Sequence, residues 1–577
     1  MQWIGRSFVL GLTCTALLAT PRAEACGGTF CDAPAQGQAP MPVDQTGENV
    51  LFVMANGMVE AHIQIQYTGD PERFAWVIPV PTTPELSVGS QNLFVNLLNA
   101  TVPTFTLNTT FDACGGDSTG SRAGCGMSSS DDSGSASYSP GGGGNTKGDA
   151  PQIRSRQAVG AFEATVLEPT SAQGMVDWLE LNGFDADAAD AVPVLSDYIN
   201  RHYQFVTIKL RPAAGTDEIH PLVIRYPGNE PCVPLKLTAI AATDDMVVRT
   251  FFLGERRVVP TNYKHVTLNQ AHLDFRTLGS NYNLAVSRAV DSPVANGQGF
   301  VTEYAGPSQV TPNTGLYDPV WSNVDFTSTP AEQVVSQLTS MGLMSCSDSF
   351  NCTSSHPLLF ALLDRYLPPP SGVAPADYYA CVSCYTTTDP ASWDPNGFAT
   401  DFATMIAEPG KRAQQVLQLY PYLTRLLTRL SPAEMSVDPM FQEWPQELGD
   451  ENATFSATQA QTCSGDWVTR LPDGREVPGG SLGVSPDLPS SMPWAERIEE
   501  FTPDGERIVL VDNSAAIRQQ LANMRVINLS KEDTQTKSGL ESGCGCSLPG
   551  RDTSHGLISC GLALMLLVRR RRRSTQR

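Results

Sequence analysis

The chain has 577 residues and a formal net charge of −22, with 60 acidic residues against 38 lysines and arginines. So acidic a surface repels phosphate backbones and anionic lipid, which excludes nucleic-acid binding as a function class. The length also exceeds what one hydrophobic core holds, so we expect roughly three or four domains.

The N-terminus has the composition of an export signal. A single arginine precedes the apolar stretch Ser7–Ala19, and small residues suited to signal peptidase end at Ala25. We predict a signal peptide over 1–25, so that Cys26 begins the mature chain. Acylation of Cys26 is the alternative, but the charged Glu24 does not suit a lipoprotein signal.

Export would place the cysteines in an oxidising compartment, where disulfides are the simplest expectation. The chain has 14 cysteines, and those of the mature body are even in number, so we predict five disulfides there while the connectivity stays open. Pairing of near neighbours suggests Cys26–Cys31, Cys114–Cys125, Cys346–Cys352 and Cys381–Cys384, which leaves Cys232 with Cys463.

Residues 26–310 combine strand-like alternation with amphipathic patterns, which predicts an α+β domain. The expected strands are Val50–Met54, Met58–Tyr67, Phe74–Val80, Ala158–Leu167, Tyr203–Leu210, Pro221–Tyr226, Leu235–Ile240 and Met246–Leu253. The expected helices are Ser90–Ala100, Met175–Leu181 with Ser171 as its N-cap, and Val194–Arg201. The stretch 112–150 is rich in Gly, Ser and Asp and is expected to be a disordered insertion.

A helical periodicity follows, and it predicts a mainly helical, cysteine-containing domain over 330–445. Its expected helices are Ala331–Met341, Pro357–Tyr366, Phe398–Ile406 and Arg412–Leu430. A small turn-rich segment over 455–528 contains two Pro-Asp-Gly turns, and 529–543 is expected to be a polar linker. The predicted fold class is therefore α+β, with a mixed β-rich N-terminal domain, a mainly helical domain and a small β-containing C-terminal segment.

The tail, 544–577, has the organisation of a sorting signal. Cys544 and Cys546 precede the apolar run Leu557–Val568, and the arginine cluster Arg569–Arg573 follows. A spanning helix needs about 20 residues, so this run is too short for an ordinary anchor, while the arginines resist crossing the membrane. We predict that the tail is removed and that Cys544 or Cys546 marks the processing and anchoring site. A retained anchor is the alternative.

Motifs along the chain carry a resemblance to known families. They include Ala25-Cys26-Gly27-Gly28 with Cys31, Pro42–Gln45, Ala61–Tyr67, Phe74–Pro81, Leu86–Ser90 and Pro234–Leu237. These resemble the exported bacterial proteins of domain of unknown function 2330 (DUF2330), over most of 26–310 and more thinly over 330–445. The resemblance implies export and a shared fold but no activity and no catalytic residue. The tail resembles the MYXO-CTERM signal of myxobacterial surface proteins.

One segment resembles a catalytic motif. Asp112–Gly120 is similar to the nucleophile region of chymotrypsin-like proteases, with Ser118 as the nucleophile. The only upstream histidine, His62, is too close in sequence for a double β-barrel to lie between them. We therefore predict no protease here, and we expect His62 to be a surface residue on the polar side of its strand.

Other clusters suggest weaker alternatives. Four cysteines have a spacing suited to zinc, and two of them form a Cys-x-x-Cys pair suited to redox exchange, although disulfides are the simpler expectation. An acidic cluster lacks the glycine and terminal glutamate of an EF-hand loop, and three aromatic residues are expected in the core. These residues are Cys346, Cys352, Cys381 and Cys384, then Asp185, Asp187 and Asp190, then Trp76, Trp178 and Phe184.

The sequence therefore predicts an exported protein anchored in the cell envelope, with a binding or structural role. Its expected partners are the export and sorting machinery, the membrane through the tail or a lipid, and a surface protein or polysaccharide. No catalytic residue, metal site or cofactor is predicted. One alternative is an exported hydrolase with a site built from distant residues, such as a carboxylate beside His202 or His220. Another is a periplasmic redox or metal protein centred on Cys381 and Cys384.

Overall fold

A mixed sheet of 11 strands organises the part of the chain that the structure describes. The structure, a computed structural model, describes residues 31–32, 44–55, 57–68, 75–112, 150–185, 188–211, 214, 216–229, 231, 233–347, 351–385, 390, 392–480 and 486–525. The strands of these residues are β1 Cys31–Asp32, β2 Asp44–Ala55, β3 Met58–Thr68, β4 Ala75–Val80, β5 Glu85–Val88, β6 Thr104–Phe111, β7 Gln152–Val159, β8 Phe162–Glu168, β9 Phe184–Asp185, β10 Gln204–Leu210, β11 Leu222–Pro227, β12 Ala242–Gly254, β13 Val258–Pro260, β14 Lys264–Leu268, β15 Gly299–Pro307, β16 Met344–Ser347, β17 Asn351–Ser354, β18 Tyr422–Leu430, β19 Phe441–Glu443, β20 Glu451–Asn452, β21 Thr454–Gln461, β22 Trp467–Arg470, β23 Glu476–Pro478, β24 Ala495–Phe501 and β25 Arg507–Asp512.

Helices are interspersed among these strands, in agreement with the predicted α+β class. They are α1 Gln91–Thr101, α2 Ala172–Leu181, α3 Ala188–Asn200, α4 Leu235–Thr238, α5 Tyr282–Val290, α6 Ala331–Ser340, α7 Leu359–Tyr366, α8 Pro375–Ala380, α9 Val382–Tyr385, α10 Pro395–Phe402 and α11 Glu408–Leu419. A π-helical turn, Ala403–Ala407, joins α10 to α11, and residues 514–525 are also helical.

The large sheet is assembled from strands that lie far apart in sequence. Its order is β25-β24-β14-β15-β18-β12-β2-β3-β11-β5, with β20 paired to β15. In its centre, β2 lies parallel to β12 and antiparallel to β3, and β18 lies antiparallel between β12 and β15. Two four-stranded sheets accompany it, in the orders β4-β10-β8-β7 and β23-β22-β21-β6.

Helices α1 and α11 cover one face of the large sheet, which we call the front face. Leu51 of β2 and Phe251 of β12 project from it into a buried cluster. Helix α1 adds Leu93 and Leu97, one turn apart, and α11 adds Val416. Each helix buries one apolar stripe, so the sheet positions both helices.

Helices α2 and α3 cover the sheet that contains β4 and β10. Ser171 caps α2 as predicted, because its hydroxyl accepts a hydrogen bond from the Gly174 amide at 3.1 Å. Trp178 and Phe184 are buried in the same cluster, and their rings lie 6.2 Å apart. Trp76 of β4 is buried as well. All three aromatic residues are therefore core residues, as their sequence context predicts.

Three elements differ from the sequence-based predictions. The strand predicted over 158–167 is interrupted by a turn at Gly160, which separates β7 from β8. The helix predicted over 412–430 is wrong beyond Leu419, because Pro421 disfavours helical backbone before it and the leucine-rich residues after it form β18. The strand predicted over 235–240 is also wrong. Pro234 starts the short helix α4 there, and the Lys236 amide donates to the Asp438 carboxylate at 3.0 Å rather than to a neighbouring strand.

The regions predicted as successive domains contribute to shared sheets. Strand β18, from the predicted helical domain, lies in the middle of the large sheet, and β24 and β25 extend its edge. Strand β21 pairs in parallel with β6 over eight residues, from Thr454 opposite Thr104 to Gln461 opposite Phe111. The two Pro-Asp-Gly turns join β22 to β23 and β24 to β25. The described residues up to Asn523 belong to one compact unit.

Several sequence-based predictions concern residues outside the described ranges. These are the signal peptide over 1–25, nearly all of the insertion over 112–150, the linker over 529–543 and the tail over 544–577. Among the residues that are described, none of the helices has both the length and the apolar character needed to cross a membrane.

The turn between β7 and β8 gives a test of the packing. Gly160 has a φ of +55°, and a Cβ at this position would lie 2.1 Å from His220 Nε2. Gly160→Ala should therefore add a steric conflict of about 1–3 kcal/mol to the strain of a left-handed alanine.

The matched control is Gly342→Ala. Gly342 has a φ of +72° but no neighbouring atom within 4 Å of the new Cβ, so this variant carries the backbone strain alone. Thermal unfolding should show that Gly160→Ala lowers the melting temperature clearly more than Gly342→Ala does. Equal losses in the two variants would contradict the close approach of His220.

Candidate functional site

Charged side chains gather at one end of the front face, where β3, β11 and β5 lie side by side. The antiparallel register places Glu60 of β3 opposite Arg225 of β11, and Arg225 opposite Glu85 of β5. His62 follows on the same side of β3, and α11 brings Arg412 over the strands. These residues line a cavity of about 340 Å³, which we call the Glu60 pocket.

Glu60 is the centre of the charge network. Its Oε1 lies 2.9 Å from His62 Nε2 and accepts a hydrogen bond from Arg412 Nε at 2.9 Å, while Oε2 accepts one from Arg412 Nη2 at 2.5 Å. Arg225 Nε lies 4.0 Å from Glu60 Oε2, and Arg225 Nη1 lies 3.6 Å from Glu85 Oε2. The two-point pair between guanidinium and carboxylate has a defined geometry, so it orients α11 against β3.

His62 is buried, with 1% of its surface exposed, so the prediction that it is a surface residue is wrong. Alternation along β3 indicates that the strand has two different faces, but it does not indicate which face another element covers. Here α11 lies over the polar face. Glu60 supplies the hydrogen-bond partner that makes a buried imidazole tolerable.

The ionisation of Glu60 follows from its partners. Burial raises the pKa of this carboxyl, but the hydrogen bonds and charges of His62 and Arg412 outweigh burial and lower the pKa from 4.5 to about 2. Glu60 is therefore a carboxylate throughout the physiological range. A group with this pKa is a poor proton acceptor, so it orients neighbouring groups rather than exchanging protons.

His62 has one ring nitrogen that is left unpaired. Its Nδ1 is buried and has no hydrogen-bond partner among the residues that the structure describes. When Nε2 carries the proton that faces Glu60, Nδ1 presents a lone pair. Ser87 and Thr404 line the same cavity, but the hydrogen bond of His62 within the described ranges is to Glu60. A nucleophile paired with a base, which acyl transfer requires, is thus not assembled among these residues.

His220 and His202, the histidines considered for a hydrolase, have other roles in the structure. His220 is buried, its Nδ1 lies 2.9 Å from the Pro221 carbonyl oxygen, and its Nε2 accepts a hydrogen bond from the Ala161 amide at 3.1 Å. Burial lowers the pKa of His220 to about 4, so it is a neutral residue that holds the turn. His202 is exposed and has a φ of 62° where α3 ends.

The cysteines support a structural interpretation. Cys346–Cys352 and Cys381–Cys384 are disulfides, two of the pairs expected from near neighbours in sequence. Sulfurs joined in this way cannot serve as the four thiolate ligands of a zinc site. Cys463 is also disulfide-bonded, and Cys31 lies in β1 opposite Asp185. The other cysteine and processing positions, namely Ala25, Cys26, Cys114, Cys125, Cys232, Cys544 and Cys546, lie outside the described residues.

Two further sequence candidates stay predictions. Ser118, the serine of the protease-like segment, and Asp187 of the acidic cluster lie outside the described residues. Within the described ranges, no group of three or more His, Cys, Asp or Glu side chains is arranged to hold a metal ion.

Comparison with known proteins identifies the family. A family model described as "Uncharacterized protein conserved in bacteria (DUF2330)" matches residues 21–404. The chain belongs to this family. The matched range includes Glu60, His62 and Arg225 and ends before Arg412, so the DUF2330 region supplies the sheet side of the Glu60 pocket and a later segment supplies the helix side. Searches of curated proteins and of solved structures found no match.

Sequence reasoning overlooked Glu60 and Arg412. Local sequence contained a signal for Glu60. Glu60 and His62 lie on the same side of a predicted strand whose opposite side is apolar, and the segments before and after this strand are also predicted strands. Arg412 lies 352 residues away in sequence from Glu60. The helical pattern around Arg412 predicts an amphipathic helix, but it does not indicate which strand that helix packs against. A pair of this kind becomes visible only when the order of the strands is known.

The Glu60 network can be tested through its pH dependence. Glu60→Gln removes a buried carboxylate that faces two arginines, so we expect the free energy of unfolding at pH 7 to fall by about 2–4 kcal/mol. The pKa of Glu60 in the folded protein is about 2, against 4.5 for the free side chain. Its stabilisation is therefore complete above pH 4.5 and is lost as the pH falls towards 2.

Thermal unfolding of the wild type and of Glu60→Gln between pH 7 and pH 3 measures the difference in their stability, and this difference should become smaller below pH 4.5. Glu85→Gln is the control, since 79% of the Glu85 side chain is exposed and its ion pair contributes little. A gap between Glu60→Gln and wild type that does not change with pH would contradict the assignment.

Proposed function

We propose that this member of the DUF2330 family is an exported, envelope-anchored binding protein. The support for export is the signal-like N-terminus and the disulfides of the described chain. The support for anchoring is the tail, in which two cysteines precede a short apolar run and an arginine cluster. In this proposal a MYXO-CTERM-type protease removes the run and the arginines, and the cysteine region keeps the protein at the outer surface.

The proposed binding role rests on the arrangement of charges in the Glu60 pocket. Its central carboxylate is saturated by His62 and Arg412, so the pocket is rigid and charged but holds no assembled nucleophile among the described residues. Two acidic side chains, Glu85 and Glu408, stand exposed at its rim. They offer acceptors to a ligand that donates hydrogen bonds, and the buried, unpaired Nδ1 of His62 is a further acceptor at the wall of the cavity.

The ligand class follows from these acceptors. Hydroxyl and amine groups donate to carboxylates and to an imidazole lone pair, and an ammonium group is also attracted by the rim charges. We therefore propose that the pocket binds amine- and hydroxyl-bearing ligands, such as the amino-sugar units of a surface polysaccharide. The fixed ion pairs would orient such a ligand without consuming it.

The location is tested by intact-mass analysis and non-reducing peptide mapping of the protein from envelope fractions. We expect a mature start at Cys26, loss of Leu557–Arg577, a lipid near Cys544 or Cys546, and oxidised cysteines in the body. Retention of Leu557–Arg577 would sink the sorting-tail proposal. Free Cys381 and Cys384 thiols would instead favour the redox alternative, because an exchanging pair has accessible thiolates.

The binding role is tested by titrating the folded protein with glucosamine, with cyclohexanol as a hydroxyl-bearing molecule that lacks the amine. Glucosamine should bind more tightly, and His62→Phe should weaken its binding about tenfold or more because a buried acceptor is lost. His202→Asn should have no effect, because His202 is exposed and asparagine tolerates its φ of 62°. Equal binding by the His62 variant, or hydrolysis of a glycosidic, ester or peptide substrate that His62→Phe abolishes, would refute the binding role.

A further inference from the structure

A second polar cavity lies farther along the front face, away from the Glu60 pocket. Arg249 of β12 and Arg425 of β18 line it, together with Glu303 of β15 and Tyr282 at the start of α5. Its volume is about 280 Å³. We call this cavity the arginine pocket. The strand register places these groups together. Arg425 of β18 lies opposite Phe251 of β12, which is two residues after Arg249 on the same strand. Phe251 therefore separates Arg249 from the end of the sheet at which Glu60 lies.

Arg425 is fixed by partners on three sides. Its Nε lies 2.5 Å from Glu303 Oε2, and both side chains are buried. Its Nη1 donates a hydrogen bond to Thr101 Oγ1 at 3.0 Å, and its guanidinium lies 5.5 Å from the Phe251 ring centre. Arg425 and Glu303 therefore form a compensated buried pair that also shapes the cavity floor.

Arg249 is compensated less completely than Arg425. Its Nε is buried without a hydrogen-bond partner, and within the described ranges its guanidinium forms no ion pair. Burial lowers the pKa of Arg249, and the positive charge of Arg425 is the second cause. Arg429 of β18 adds a further positive charge nearby. Glu303, the carboxylate that lines this cavity, attracts Arg249 as well, but its contact ion pair is with Arg425.

The charges that line the cavity are thus two guanidinium groups against one carboxylate. A partly buried cation without an ion pair of its own is unfavourable, and an anion that enters would gain both charge neutralisation and planar, two-point hydrogen bonds from Arg249. The start of α5, where Tyr282 and Asn283 line the cavity, adds the partial positive charge of a helix N-terminus.

The remaining walls define the rest of the ligand. Apolar side chains line the cavity, namely Val102, Pro103, Phe105, Leu278 and Leu427. The Phe105 ring lies directly over Gly279, whose φ is +76° and which leaves no room for a Cβ. An apolar group can therefore pack on these walls while its charged end meets Arg249. Because Glu303 repels additional negative charge, a single carboxylate suits the site better than a dianion.

We propose that the arginine pocket is a binding site for a small organic monocarboxylate, with Arg249 as the group that pairs with the carboxylate and the walls at Phe105 and Leu278 as the contact for its apolar part. This site is separate from the Glu60 pocket, and the proposal does not depend on the ligand class or the location suggested for that pocket.

The probe is benzoate, with benzamide as its uncharged counterpart of the same shape. Calorimetric titration of the folded protein should show binding of benzoate at least tenfold tighter than that of benzamide, because the carboxylate forms charge-assisted hydrogen bonds. Benzoate should also bind more tightly than inorganic phosphate. Arg249→Gln should weaken benzoate binding about tenfold or more, and the melting temperature of this variant should stay level or rise because an incompletely compensated charge is removed.

The matched control is Arg156→Gln, since Arg156 is 53% exposed and lies on β7; it should leave benzoate binding unchanged. Leu278→Asp is a second variant that should fold, because Leu278 is 67% exposed with a φ of 52°, a backbone conformation that Asp tolerates. It should weaken benzoate binding by adding negative charge. Equal binding of benzoate and benzamide, tighter binding of phosphate, or unchanged benzoate affinity in Arg249→Gln would overturn the proposal.

Discussion

The ion pair between Glu60 and Arg412 is the contact on which the arrangement of the front face depends. It joins β3, near the start of the described chain, to α11, which is 352 residues later. Apolar packing of α11 against the sheet does not by itself determine how the helix is rotated or shifted, since leucine and valine contacts tolerate small displacements. A two-point hydrogen bond to a buried carboxylate does determine it. The position of α11 then closes the Glu60 pocket and completes the apolar cluster around Leu51 and Phe251.

The front face has one organisation throughout. Its middle is apolar and lies beneath α1 and α11, and a charged cavity lies to each side. The two cavities differ in their charge balance. In the Glu60 pocket a carboxylate is shared by several cationic neighbours, so the internal charges are satisfied and the rim is acidic. In the arginine pocket the guanidinium groups outnumber the carboxylate, so the electrostatic potential in this cavity is positive. One sheet therefore carries two cavities of opposite charge balance within a chain whose overall charge is strongly negative.

Local patterns predicted the elements better than their assembly. Strands β2 and β3, the capped helix α2 and the turn-linked pairs β22–β23 and β24–β25 follow from apolar patterns, an N-cap serine and Pro-Asp-Gly turns, which act over a few residues. The helix predicted over 412–430 was wrong because a leucine-rich stretch fits a buried strand as well as a helix, and Pro421 was the local signal against it. The candidate sites could not be predicted in the same way. Arg249, Glu303 and Arg425 come from three strands that become neighbours only through non-local pairing.

The parallel pairing of β6 with β21, and of β2 with β12, has a consequence for how the chain acquires its structure. Strands of this kind need partners that are synthesised much later, so the average sequence separation of contacting residues is large, and folding is slow relative to proteins with local contacts. The sheet around the central strand β2 cannot be completed before β12 and β18 have been synthesised, and its edge is not complete until β25 has been synthesised. A nascent chain of this topology stays incompletely folded until nearly all of it is made. If the chain is exported as we propose, this delay leaves it unfolded enough to pass through a secretion pore, and the risk of aggregation then arises after translocation.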